Sequence, residues 1–104
     1  MKYRSLNHSK FLLLYHIILV CKYRHKLLVK TGDFIKGVIE GLTTEYEFTI
    51  ETMEVDNDHI HIFVNSVPKL SPLKLVHLIK QITTYYVWKH YENYLKMYLW
   101  KEKP

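Results

Sequence analysis

The run Asp56-Asn57-Asp58-His59-Ile60-His61-Ile62-Phe63-Val64-Asn65 leaves the chain little freedom. Ile60, Ile62 and Val64 alternate with His59, His61, Phe63 and Asn65, and a period of two sends the two sets to opposite faces of a strand. One face needs an apolar cover; the other, bearing two imidazoles, does not. Asp56-Asn57-Asp58 has the composition of a short turn. Residues 47–55 before it read as another strand, where Phe48 and Ile50 alternate with polar neighbours before Met53 and Val55 switch face. The switch predicts a bulge, and the short turn predicts that the two strands form a hairpin.

The remaining segments supply the cover. Residues 11–22 read as a long first strand, with Tyr15, Ile17, Leu19 and Cys21 on one face and His16, Ile18, Val20 and Lys22 on the other. A basic loop, Tyr23–Lys30, follows. Asp33 is the expected N-cap of a helix to about Tyr46, with an apolar stripe of Ile35, Val38, Ile39, Leu42 and Tyr46. Gly37 and Gly41 read as points where that helix closes on the sheet. Ser71-Pro72 opens a second helix to about Tyr94, burying Leu75, Val76, Ile79, Ile82 and Tyr86 and turning Lys74, His77, Gln81, Thr84 and Trp88 to another face. The last ten residues predict no further element. The order β-α-β-β-α is that of an α+β, ferredoxin-like sandwich without its final strand: an antiparallel sheet with helices on one face and the other face open. At 104 residues the chain is expected to be a single domain.

The net charge of +5 is unevenly spread. Residues 1–30 carry seven Lys/Arg and no acids, residues 31–68 carry one Lys against eight Asp/Glu, and residues 69–104 carry seven Lys and two acids. Basic ends of this kind suit a polyanion. The apolar run Phe11–Cys21 is too short for a membrane span and is broken by Tyr15 and His16. Lys22-Tyr23-Arg24-His25 follows it, where a signal peptide would show small residues. A lone Cys21 excludes an internal disulfide framework and a cysteine zinc site, and points to a reducing cytoplasm.

His59-Ile60-His61 places two imidazoles about 7 Å apart along one face of one strand. Such a pair can converge on a divalent ion but needs a third ligand to hold it firmly. Two ordinary histidines on a half-exposed strand would look the same. His16 is a candidate third ligand, because the first and third strands are neighbours in a ferredoxin-like sheet and His16 faces the open side. His-dependent phosphate chemistries of other kinds fail on the residues. A histidine triad needs His at position 63, which is Phe, and no His-x-Thr/Ser motif occurs at His61, His77 or His90.

Four pieces taken in order resemble the single-tyrosine HUH transposases of the insertion-sequence-200 type. They are Tyr15-His16-Ile17 through Lys22-Tyr23-Arg24-His25-Lys26, Val55–Val64 with its His-hydrophobic-His core, Pro68–Val76, and Leu99-Trp100. The resemblance implies a DNA transposase that binds hairpin and single-stranded DNA at the ends of a mobile element. It implies cutting and rejoining through a 5′-phosphotyrosine link, a Mg²⁺ or Mn²⁺ cofactor held by His59 and His61, and a homodimer. It also marks a departure. The family's nucleophilic tyrosine and third ligand, often a Gln, lie on a helix beyond the last strand, past where this sequence stops. Gln81 is on the wrong helix. Tyr85, Tyr86, Tyr91, Tyr94 and Tyr98 read as core packing, and none is assigned as catalytic. The chain alone is expected to bind DNA without cutting it.

Lys22, Tyr23, Arg24, His25 and Lys26 are the expected DNA contacts, the cations on phosphate and Tyr on an unpaired base. Lys69, Lys74 and Lys80 could extend the path. A catalytically inactive DNA-binding remnant or regulator is the alternative reading, and a purely structural dimerisation domain is the third.

Overall fold

The computed structural model describes residues 13–99. Its elements run β1 (Leu13–Val20), α1 (Leu28–Leu42), β2 (Phe48–Val55), β3 (His59–Ser66) and α2 (Pro72–Leu99), with a short 3-10 turn at Lys22–Arg24. The three strands form one antiparallel sheet in the order β1-β3-β2, so the strand bearing His59 and His61 lies in the middle. The β2–β3 register slips between Ile50 and Thr52, which is the bulge that the face switch implied.

The core gathers on the face that the alternation marked. Ile60, Ile62 and Val64 of β3, Ile17 of β1 and Phe48 of β2 are buried together with Leu28, Ile35, Ile39 and Leu42 of α1 and Leu75, Ile79, Val87, Trp88 and Leu95 of α2. Both helices therefore cover one face of the sheet, and His16, Ile18, His61 and Phe63 are left on the other. Burial of this apolar surface, at about 25 cal/mol per Å², is the main force holding the layers together.

Several boundaries differ from the sequence reading. Cys21 and Lys22 have left β1 for the turn, while residues 11 and 12 and the expected motif residue Trp100 lie outside the described residues. Helix α1 starts at Leu28, five residues before the expected cap at Asp33. The basic run concealed an earlier apolar spacing of Leu28, Thr31 and Gly32, all buried. The Thr31 hydroxyl donates to the Leu27 carbonyl (2.9 Å), and the Leu28 N–H donates to the Asn57 carbonyl (3.0 Å). The helix ends at Leu42 rather than Tyr46, where the hydroxyls of Thr43 and Thr44 turn back onto the Glu40 and Gly41 carbonyls.

The close helix–sheet approach is also elsewhere. A Cβ at Gly37 or Gly41 would meet nothing within 4 Å, whereas one at Gly32 would sit 2.9 Å from Val55 Cγ1. In α2, the Lys74 N–H donates to Ser71 Oγ (3.2 Å), as an N-cap requires. That helix continues past Tyr94 to Leu99 across a kink at Tyr91 (φ −127°, ψ 34°). Its buried stripe passes through Thr83, Val87 and Trp88, so Trp88 faces the core, while Tyr86 is exposed. Tyr85 and Tyr98 are exposed too, so these three tyrosines are not core residues. Among the described residues, no helix is long and apolar enough to cross a membrane.

Candidate nucleic-acid and metal site

Antiparallel pairing sets out the open face in rows. His59 lies opposite Val20, His61 between Ile18 and Glu54, and Phe63 between His16 and Thr52. The ring centroids of His59 and His61 are 5.5 Å apart, and those of His16 and His61 are 6.3 Å apart. His16 packs edge-on against Phe63 at 4.8 Å. The three histidines that the sequence singled out thus share one face. Among the described residues, however, no group of three or more His, Cys, Asp or Glu side chains is gathered as a metal cage. The His59–His61 pair supplies two nitrogen donors of the right chemistry for a divalent transition metal, and His16 does not close the set.

His59 is the most constrained of the three. Its Nδ1–H donates to Asp58 Oδ1 at 2.9 Å, and its Nε2 lies 3.8 Å from Asp56 Oδ2. A proton held at Nδ1 leaves the lone pair at Nε2, the arrangement in which a carboxylate orients a ligating or proton-accepting imidazole. Asp58 is in turn bridged to Arg24, whose guanidinium nitrogen lies 3.1 Å from Oδ2. The His59 hydrogen bond, helped by Arg24, holds the Asp58 carboxyl below its ordinary range in spite of partial desolvation. Sequence reasoning passed over Asp58 and the cross-strand Glu54. Asp58 had a signal, its position directly before the His-x-His pair. Glu54 had none, because the bulge decides which β2 residue faces His61.

Main-chain bonds fix the turn ahead of β3. The Cys21 N–H donates to the Asp58 carbonyl (2.8 Å), which brings the basic turn after β1 against the start of the histidine strand. Partial burial raises the Cys21 thiol pKa, opposed by a main-chain hydrogen bond with Leu27. Within the turn, Tyr23 (φ 56°) and Arg24 (φ 54°) both adopt left-handed backbone conformations that favour glycine. The five expected DNA contacts therefore divide. Arg24 is engaged by Asp58, Tyr23 stands 71% exposed with Lys22 Nζ 5.8 Å from its ring centroid, and His25 is half-buried beside it. Lys26 is exposed. Of the more distant lysines, Lys69 is bound to Glu47 at 2.8 Å, and Lys74 and Lys80 are exposed on α2.

A concavity without a histidine in its described lining lies beside the sheet. A groove of about 560 Å³ runs between β1, α1 and α2, lined by apolar side chains such as Ile18, Ile35, Val76 and Trp88 together with Lys22 and Lys80. Among the described residues, Cys21 is the one His, Cys, Asp or Glu side chain in its wall.

Comparison with known proteins fits this geometry. A family model described as "Transposase IS200 like" matches residues 9–103. The ISDra2 transposase TnpA of Deinococcus radiodurans is 30% identical over 87 residues, covering 83% of this chain and 61% of that protein. A crystal structure described as that of a transposase from Deinococcus radiodurans R1 superposes with a TM-score of 0.74 at 26% identity, over 81% of this chain and 65% of that one. The chain thus spans less than two thirds of the length of these two relatives.

Proposed function

The chain belongs to the IS200-like transposase family, and on that premise we propose that it is a transposase domain of the single-tyrosine HUH type, which binds hairpin and single-stranded DNA and holds a divalent ion at His59 and His61. The observation that carries this reading is the pair of imidazoles on the open face of the central strand, 5.5 Å apart, with one of them oriented by Asp58. Bound there, Mg²⁺ or Mn²⁺ would supply Lewis-acid stabilisation of charge on a phosphate oxygen.

The chain's own residues do the rest. Asp58 keeps the His59 proton on Nδ1, so that Nε2 presents its lone pair. Arg24 restrains Asp58 and joins the basic turn to the histidine strand. Lys22 and Lys26 add positive charge there for phosphates. Glu54, opposite His61, places a carboxylate at the far side of the same row. No tyrosine of the described residues is assigned as nucleophile. The homodimer of this reading has a surface to use, because β1 is an edge strand of the described sheet with Leu14, Ile18 and Val20 half-exposed.

Calorimetric titration with Mn²⁺ tests the metal arm, alongside fluorescence anisotropy with a hairpin carrying a single-stranded flank. The 104-residue chain is expected to bind both. His59→Ala/His61→Ala should abolish the Mn²⁺ heat while keeping most of the salt-dependent DNA affinity. Mn²⁺ binding that the double variant retains would remove the HUH assignment. A covalent protein–DNA adduct formed with Mn²⁺ would replace simple binding by cleavage and identify the attacking tyrosine.

A further inference from the structure

Four aromatic rings run in sequence from the turn after β1 to the end of α2. The Tyr23 and His25 centroids are 6.0 Å apart, His25 and Tyr98 5.4 Å, and Tyr98 and Tyr94 5.6 Å. A cation stands at each end: Lys22 Nζ is 5.8 Å from the Tyr23 centroid, and Lys30 Nζ is 5.3 Å from the Tyr94 centroid. The turn after β1 contributes Tyr23 and His25, α1 contributes Lys30, and α2 contributes Tyr94 and Tyr98. Three separate segments thus build one strip of rings with a lysine at either end.

Packing alone does not account for it. Tyr94 is half-buried and forms the floor, its phenol pKa raised by burial and by the neighbouring Tyr98. Tyr23 and Tyr98, by contrast, are 71% and 44% exposed, which leaves ring surface in water at two of the four positions. The left-handed turn at Tyr23 and Arg24 explains how this happens. It sends Arg24 to Asp58 and leaves Tyr23 outside.

We propose that this strip is a stacking track for the unpaired bases of single-stranded DNA, with Lys22 and Lys30 meeting the flanking phosphates. The proposal rests on the DNA-binding reading above and extends it to α2. Charge favours the partner, since residues 1–30 carry seven Lys/Arg and no acid. Ring faces favour single strands, because a base must leave its own stack to lie on an aromatic side chain. Position favours continuity with the histidines, since Arg24, next to Tyr23, is ion-paired to the carboxylate that orients His59.

The test uses the full 104-residue chain, labelled oligo(dT), and an abasic oligonucleotide of equal length and charge. Wild type is expected to prefer oligo(dT). Tyr23→Ala/Tyr98→Ala should weaken oligo(dT) binding about tenfold or more while leaving abasic binding and the salt slope unchanged. Tyr23→Phe, which keeps the ring, should bind oligo(dT) as wild type does. Should the double variant fail to fold by circular dichroism, Tyr23→Ala alone, at the more exposed ring, is expected to show a smaller loss of the same kind. Equal affinity of wild type for oligo(dT) and the abasic strand, or full retention of oligo(dT) affinity by the folded variants, would overturn the track alone. Failure of wild type to bind any DNA would overturn the proposed function with it.

Discussion

The two faces of β3 do different work with the same backbone. On one, Ile60, Ile62 and Val64 are at most 3% exposed and packed under both helices. On the other, His59, His61 and Phe63 keep contact with solvent and with their neighbours on β1 and β2. Stability is thus concentrated on the covered face, and the open face is free to carry groups that would be costly inside a core. A strand in the middle of a sheet also holds its side chains between two neighbours, which suits a site needing fixed spacing.

The largest effect should come from the covered face. Ile62→Ala is expected to destabilise the fold by about 2–5 kcal/mol in urea unfolding, whereas His61→Ala on the opposite face should cost about 0.5 kcal/mol or less. Equal losses would break the division between faces.

The next effect tests the link from the open face to the basic turn. The His59 hydrogen bond, with Arg24 beside it, lowers the Asp58 pKa, so Asp58 contributes stability above its unfolded value of about 3.9. That contribution is lost as pH falls through the lowered folded value. Asp58→Asn should therefore lower the urea midpoint at neutral pH, and its deficit should shrink as the pH is taken below the carboxylate range. A deficit independent of pH would assign Asp58 a purely steric part.

The smallest effect belongs to His16. Its edge-on contact with Phe63 at 4.8 Å is solvent-facing, and His16→Ala should change stability by about 0.5 kcal/mol or less in the same assay. A larger loss would mean that the open face contributes to the core after all.

Much of this was legible in the residues. The alternation of β3 set its two faces, the face switch in β2 located the bulge, and Ser71-Pro72 marked the start of α2. What escaped depended on tertiary contacts. Helix α1 starts at Leu28 because Leu27, Leu28 and Thr31 find cover and Asn57 accepts the Leu28 N–H, and none of this is local to the basic run that contains them. Gly32 rather than Gly37 or Gly41 meets the sheet because helix rotation, not glycine content, decides the closest point. In the site, His59 and His61 were visible as a motif; Asp58 was marked only by its place directly before them, and its part is defined by the direction of one hydrogen bond. Tyr94 and Tyr98 join Tyr23 only when α2 is folded back beside the turn.

The left-handed pair at Tyr23 and Arg24 bears on how this sequence could be improved. Each residue occupies backbone territory that costs a side-chain-bearing residue on the order of 1–3 kcal/mol. Glycine at either place would relieve that cost, so a redesign scored only on folding energy would choose it. It would also discard an exposed ring or the guanidinium that steadies Asp58. The turn therefore holds local backbone strain in exchange for the outward placement of one ring and for the ion pair that steadies Asp58.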